Sequence, residues 1–309
     1  MEHTSLPSPS ARRSMLRRAL QEHRLLRFPG AFSPFVALLI EQAGFDGVYV
    51  SGAGVANDLG FPDIGLTTLT EVTSRGAAIA ARTRLPAIID ADTGFGEPIQ
   101  VARTVTELVA AGLAGMHLED QENPKRCGHL DGKTLVPVEV MVRKIRAAVT
   151  ARPDPDFLVF ARTDARAVEG LDAAIDRARA YVDAGADGIF PEALQSEAEF
   201  AAFRKAIDVP LMANMTEFGK SPLLSADTLQ DLGYDIVIYP MTAFRVAMKA
   251  VEDAFQDLER HGSQAGLLDR MQTRARLYEV LGYDAYARLD AAWHAGGAPT
   301  TGPKHRKGG

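Results

Sequence analysis

Pro98–Asp120 reads PIQVARTVTELVAAGLAGMHLED. Val101, Val105 and Leu108 follow the three- and four-residue spacing of an amphipathic helix that starts on a proline. Ala111-Gly112 ends that helix, because glycine takes the left-handed backbone that follows a last turn. Gly115–Glu119 is then a short apolar strand candidate that runs out into two acids, Glu119 and Asp120.

The same unit recurs on both sides. Further strand candidates are Leu25–Phe28, Gly47–Ser51, Ala87–Asp90, Leu158–Arg162, Gly188–Pro191, Leu211–Asn214 and Ile236–Tyr239. Their near-continuous hydrophobicity suits strands covered on both faces. Between them lie helix candidates Pro34–Ala43, Thr70–Thr83, Glu139–Thr150, Leu171–Ala184, Glu197–Ile207 and Ser225–Leu232. Ala43-Gly44, Ala184-Gly185 and Leu232-Gly233 repeat the glycine stop. Such alternation means parallel strands joined by right-handed crossovers. It predicts a TIM-type (β/α)8 barrel, with a doubly wound open sheet as the alternative. Polar groups recurring after almost every strand favour the barrel, whose catalytic loops form a ring. No internal linker interrupts it, so 11–295 reads as a single catalytic domain, with a flexible N-terminus (1–10) and a disordered tail (296–309). Ala243 to His294 carries no strand signal and is expected to be helical, packed on the barrel or on a partner subunit.

The chain has 309 residues, 46% hydrophobic and 24% charged, with net charge −6. This balance suits a globular enzyme of small molecules and argues against a general nucleic-acid binder, which carries a basic footprint. No apolar run approaches the ~20 residues that span a bilayer. The basic stretch Ala11–Arg18 is followed by no long apolar segment, so a first surface helix is expected there and not a signal peptide. A cytoplasmic location follows as an expectation.

Lys125-Arg126-Cys127-Gly128-His129 holds the only cysteine, which excludes an internal disulfide. Arginine and histidine beside it can stabilise a thiolate or hold the thiol for proton transfer. Most free cysteines are small buried apolar residues, but these neighbours are polar.

The strand ends supply further candidates. Asp90-Ala91-Asp92-Thr93-Gly94-Phe95-Gly96 offers paired hard oxygen ligands for Mg2+, or else caps for the helix from Pro98. Glu119, Asp120 and Glu192 can hold metal-bound water, or serve as caps and ion-pair partners. Arg162 is a carboxylate clamp or a structural ion pair. Asn214 offers an amide for a carboxylate, or turn chemistry. Ser51-Gly52-Ala53-Gly54 is a glycine-rich turn and an anion cradle. His117, inside a strand, reads as a hydrogen-bonded core histidine; His129 is the better functional candidate. Arg245 and Arg274 lie in the helical tail, where a solvated face is the default. The chain carries no G-x-G-x-x-G, Walker, CxxC or HExxH pattern, which leaves nicotinamide, nucleotide and zinc chemistry unsupported.

Together these motifs resemble the isocitrate lyase/phosphoenolpyruvate mutase superfamily, and most closely its methylisocitrate-cleaving branch. Besides the cysteine motif, the likeness rests on Val50–Gly54, Asp90–Gly96, His117–Gln121, Ala161–Ala165, Phe190–Ala193, Asn214–Gly219 and Met271–Arg274. It implies a barrel, a homotetramer that swaps the helix after the last strand, and Mg2+ or Mn2+. It implies cleavage of a tricarboxylate, (2S,3R)-2-methylisocitrate, to pyruvate and succinate. Asp90, Asp92 and Glu119 would then serve the metal. Ser51, Gly52 and Ala53 would bind the pyruvate-forming half, and Arg162 a carboxylate near the breaking bond. Glu192, Asn214, Thr216, Arg245 and Arg274 would hold the remaining carboxylates. Cys127 would protonate the succinate carbanion, Gly128 and His129 would shape its loop, and Tyr49 or Asp63 would be the base. Related activities of the superfamily are isocitrate lyase, oxaloacetate hydrolase and 2,3-dimethylmalate lyase. Ala53 departs from the Ser-Gly-Gly common in the family, which leaves the backbone donors intact.

Overall fold

Each apolar run of the alternation forms a parallel strand in the computed structural model, which describes residues 6–295. The elements follow in the order α1 (Pro9–Leu20), β1 (Leu26–Pro29), α2 (Pro34–Gln42), β2 (Val48–Val50), α3 (Gly52–Asp58), α4 (Leu69–Ala80) and β3 (Ala87–Asp90). Next come α5 (Pro98–Ala110), β4 (Gly115–Glu119), α6 (Val138–Ala151), β5 (Leu158–Thr163), α7 (Ala165–Val168), α8 (Leu171–Asp183) and β6 (Gly188–Pro191). The rest are α9 (Glu197–Ala206), β7 (Met212–Asn214), α10 (Ala226–Asp231), β8 (Ile236–Tyr239), α11 (Thr242–His261), α12 (Arg274–Leu281) and α13 (Tyr283–His294). A 3-10 turn, Ala265–Arg270, precedes α12.

Two parallel ladders, β1-β8-β7 and β2 through β6, make up the sheet. Parallel bridges Gly30↔Tyr49 and Ile189↔Leu211 join them at both seams, so the ring of eight closes. The expected barrel is therefore present and the open sheet is not. Gly44, Gly112, Gly185 and Gly233 all take positive φ, as the helix stops required.

Alternate strand residues face opposite ways and divide the core in two. Leu26, Phe28, Tyr49, Ile88, Phe160, Phe190, Met212 and Ile238 pack inside the ring, while Val48, Val50, Ile89, Val159 and Ile189 pack outward against the helices. Leu16 and Leu20 of α1 join the inner cluster and close the N-terminal end of the barrel. Arg12 ties this plug down by donating to the carbonyls of Ala80 and Thr83, each at 2.7 Å.

Two expectations change, and one short helix is added. Helix α1 begins at Pro9 behind the N-cap Ser8, so part of the supposed flexible N-terminus is helical. Ser51–Gly54 is the first turn of α3, not an open glycine turn. The short helix α7 follows β5 directly. Residues 1–5 and the expected tail 296–309 lie outside the described residues. Pro7–Asp253 forms one compact unit that contains the whole barrel, and the described residues from Ala254 to Ala295 belong to a second.

Candidate active site

Parallel strands present all their C-terminal ends at one rim, which is why acids and amides from β2 to β7 meet there. Asp90 closes β3. Its Oδ1 accepts the Asp92 N–H at 2.9 Å, and its Oδ2 accepts the Gly52 N–H at 3.3 Å. A Cβ on Gly52 would lie 2.8 Å from that oxygen, so any larger residue would displace the Asp90 carboxylate. Asp92 turns in the left-handed region, φ +46°, and its carbonyl accepts the Glu119 N–H at 2.8 Å. The helix from Pro98 has its own cap in Glu97, paired with Gln100. The aspartates are therefore not caps.

Lys125 reaches into this acid cluster. Its ammonium pairs with Asp63 and lies 2.8 Å from Asp92 Oδ1. Burial pushes Asp92 up to about 6 against the pull of Lys125. Glu119 is held well above its ordinary value by burial, which Arg162 and Lys125 only partly offset. Neither Glu119 carboxylate oxygen has a hydrogen-bond partner. Buried carboxylate oxygens without a hydrogen bond, one of them 3.3 Å from the Arg162 guanidinium, suit a hard divalent cation when they stand beside two aspartates. Among the described residues, no three His, Cys, Asp or Glu side chains are gathered as a ready-made metal cage. An ion held here would take one or two carboxylates and complete its shell with other oxygens.

His117 lies inside the barrel and not in the outer core. Its Nε2 is 2.7 Å from the Tyr49 hydroxyl, and its ring stacks on Tyr49 and meets the edge of Phe190. Burial lowers it to about 4, so it is neutral at physiological pH. Its Nδ1 has no hydrogen-bond partner and lies 3.7 Å from Asp90 Oδ1. Burial and the Asp90 charge hold the Tyr49 phenol well above 10, so it is protonated.

Arg162 leaves β5 among three carboxylates. It is bidentate to Asp164 at 3.0 and 3.1 Å, and 3.3 Å from both Glu119 and Glu192. Its guanidinium also covers the Phe190 ring at 5.2 Å. Glu192 accepts from Asn214 Nδ2 at 3.2 Å and the Ala193 N–H at 2.8 Å, and pairs with His129 Nε2 at 2.9 Å. Burial alone would raise Glu192, but Arg162 and His129 outweigh it and keep the carboxylate ionised. His129 Nδ1 accepts the Lys220 N–H at 2.9 Å, which assigns the proton to Nε2, the nitrogen facing Glu192.

Cys127 is half-buried, and burial pushes its thiol above the ordinary value; the His129 backbone N–H pulls back less. The expected thiolate stabilisation by the flanking histidine side chain is not found. The His129 ring is turned to Glu192, and Arg126 engages Gln121 through its backbone N–H and carbonyl. Two further expectations are corrected. Ser51 Oγ accepts the Gly54 N–H as the cap of α3, and the Gly52 N–H is spent on Asp90, so the pair is no free anion cradle. Asp63 is committed to Lys125.

Thr216 and Arg245 stand on the β7 and β8 side, where Arg245 lies over Phe218 and 3.6 Å from Glu217. Arg274 opens α12 in the second compact unit. The sequence alone does not single out Lys133 or Asp164, nor a role for Lys125. Loop lysines are solvated by default, and only their burial here reveals them.

The phosphoenolpyruvate phosphomutase family model matches residues 16–259. A probable 2-methylisocitrate lyase of Corynebacterium glutamicum is 62% identical over 280 residues, 90% of this chain and 92% of that protein. A 2-methylisocitrate lyase of Bacillus subtilis is 48% identical over 274 residues, 89% of this chain and 90% of that protein. Among solved structures, 2,3-dimethylmalate lyase superposes with TM-score 0.86 at 37% identity, covering 96% of this chain and 99% of that one. A phosphonopyruvate hydrolase in complex with oxalate and Mg++ superposes with TM-score 0.84 at 32% identity, covering 93% and 100%.

Proposed function

The chain belongs to the phosphoenolpyruvate phosphomutase family, and from that premise we propose that it is a 2-methylisocitrate lyase, cleaving (2S,3R)-2-methylisocitrate to pyruvate and succinate. The observation that carries the reading is one rim that holds both a buried acid cluster with carboxylate oxygens free of hydrogen bonds and a protonated thiol. A retro-aldol cleavage needs these two parts, a place to stabilise the oxyanion and a proton for the carbanion.

Asp90 and Asp92, with Glu119 outside them, are the residues to hold a divalent cation, Mg2+ or Mn2+, which when bound supplies Lewis acidity at the hydroxy-carboxylate oxygens. Ser51, Gly52 and Ala53 border that half of the site, and the Gly52 N–H orients Asp90. Arg162 neutralises a carboxylate beside the breaking bond. Asn214, Thr216 and Arg245 are donors for the remaining carboxylates. Glu192 is ionised and does not itself suit an anionic substrate, so its role is to orient Arg162, Asn214 and His129.

The proton leaves the substrate hydroxyl towards Tyr49, whose own proton passes to the neutral His117 nitrogen 2.7 Å behind it. Asp63 is the weaker candidate, since Lys125 neutralises it. As the carbon–carbon bond breaks, its electron pair stays on the succinate fragment, which takes the Cys127 proton. Gly128 and His129 set the path of that loop, which excludes water from the carbanion.

We place the protein in the cytoplasm as a homotetramer, with one catalytic barrel domain per chain and α11 exchanged between subunits. Helix α11 has no buried residue, and Met248, Val251 and Phe255, spaced along one side of it, are 40%, 42% and 66% exposed, an apolar face that calls for a partner. Among the described residues no helix is long and apolar enough to cross a membrane.

The test is pyruvate release from threo-2-methylisocitrate with Mg2+ and with EDTA, beside isocitrate and oxaloacetate, including Cys127→Ser. Metal-dependent pyruvate formation that far exceeds glyoxylate or oxalate formation and is lost in the variant supports the reading. Oxalate formation without pyruvate moves the protein to the hydrolases.

A further inference from the structure

Asp164 and Lys133 stand outside the roles given above, yet both side chains are fully enclosed, at 0% and 1% exposure. A buried lysine is costly unless its charge and protons are matched. Lys133 has two partners: it donates to the Gly128 carbonyl, and it lies 3.3 Å from Asp164 Oδ1. Asp164 in turn holds Arg162 through both carboxylate oxygens. One carboxylate therefore touches the substrate clamp on β5 and, through one ammonium, the residue next to Cys127.

That carboxylate is itself fixed. Asp120 accepts the Asp164 N–H at 2.9 Å on one oxygen, and the hydroxyls of Thr163 and Tyr181 at 2.8 and 2.7 Å on the other. The Asp120 carbonyl accepts the Val136 N–H at 2.9 Å, and Gln121 pairs with Leu135, so the same residue clips the stem of the cysteine loop. The Gly128 contact is tight enough that a Cβ there would meet Arg162, Glu192 and Asp164.

We propose that Asp164 and Lys133 are coupled positioning residues: Asp164 aims the Arg162 guanidinium and, through Lys133, docks the Gly128 carbonyl, so that clamp and cysteine loop are set together. This rests on the lyase reading for its kinetic consequence, but the docking itself does not. Because Cys127 is the only cysteine, its alkylation reports the loop without any substrate.

The experiment measures iodoacetamide alkylation of Cys127 and steady-state kinetics in full-length wild type, Lys133→Met, Lys133→Arg, Asp164→Asn and the Met/Asn double variant. Lys133→Met is expected to alkylate about tenfold faster and to lose about 10²-fold in kcat, with KM changed far less, as for a loop misplaced by an ångström. Lys133→Arg should recover much of both. The double variant should match Asp164→Asn, because the two act as one unit. Wild-type alkylation rates in Lys133→Met, or independent losses that multiply in the double variant, overturn the proposal. Should Asp164→Asn not fold, the Met and Arg variants decide it. Absence of pyruvate from the wild type would defeat the lyase reading alone, since the alkylation rates still judge the docking.

Discussion

The Lys125 ammonium bridges Asp63 and Asp92, with Nζ 2.8 Å from Asp92 Oδ1, at a side-chain exposure of 3%. It binds the start of the cysteine loop to the loop after β3, and Asp92, Glu119, Asp63 and Asp90 keep it charged despite its burial. Lys125→Met leaves two carboxylates facing each other without their cation. Removing one partner of a buried pair costs about 3–5 kcal/mol. Urea unfolding in EDTA should show a loss of that order, and kcat should fall at least about 10²-fold. An unchanged midpoint would remove the bridge from the account.

Gly128→Ala tests the closeness of the loop to the rim. The added methyl would lie 2.9 Å from Asp164 Oδ1 and closer still to Arg162 and Glu192. The loop must then lift away. Pyruvate formation is expected to drop about 10²-fold, while the melting temperature holds within a few degrees. Near-normal kcat would show that the loop reacts from a different position.

The pH dependence of stability carries two opposed contributions. His117 falls from 6.5 to about 4 on folding, so between those values the unfolded chain binds a proton that the native state refuses, and stability rises with pH. Asp92 goes from 3.8 to about 6, so the native state keeps a proton that the unfolded chain releases, and stability falls as pH rises through the same window. In EDTA the two nearly cancel. His117→Asn removes the first, so from pH 4 to pH 6 its unfolding free energy should fall relative to that of the wild type by on the order of 2–3 kcal/mol. Urea titrations at pH 4, 5 and 6 read the slope, and a slope equal to that of the wild type refutes the assignment.

Arg12 sits at the opposite end of the barrel, bonded to the carbonyls of Ala80, Thr83 and Gly112. Arg12→Ala strips these buried acceptors of their donor and loosens the α1 plug, at a cost of on the order of 3 kcal/mol. kcat should not change below the melting transition. A matching loss of kcat at 25 °C would mean that the plug shapes the rim as well as the base.

Much of this is written locally. Ala111-Gly112 and its three counterparts end helices because glycine alone takes that backbone cheaply, and the apolar runs between them have no stable place except a strand covered on both faces. Eight such units, almost all closing on a polar residue, set the barrel and its reactive rim, and the motifs about Asp90 and Cys127 mark the acid cluster and the proton donor. Where local reading went astray, at Ser51 and at His129, the residue type was suitable but its hydrogen bonds were taken by another group.

Only closure of the ring decided those partners. Tyr49 and His117 are 68 positions apart and meet because β2, β3 and β4 lie side by side in a register that opposes Asp90 to His117. Lys125 and Lys133 are ordinary loop lysines by sequence, and burial against particular carboxylates made them structural charges. Helix and strand follow from hydrogen bonds a few residues apart and from periodic burial, which the sequence by itself determines. The pairing of distant charges depends on strand order, register and the desolvation that packing imposes, and these exist only in the tertiary structure.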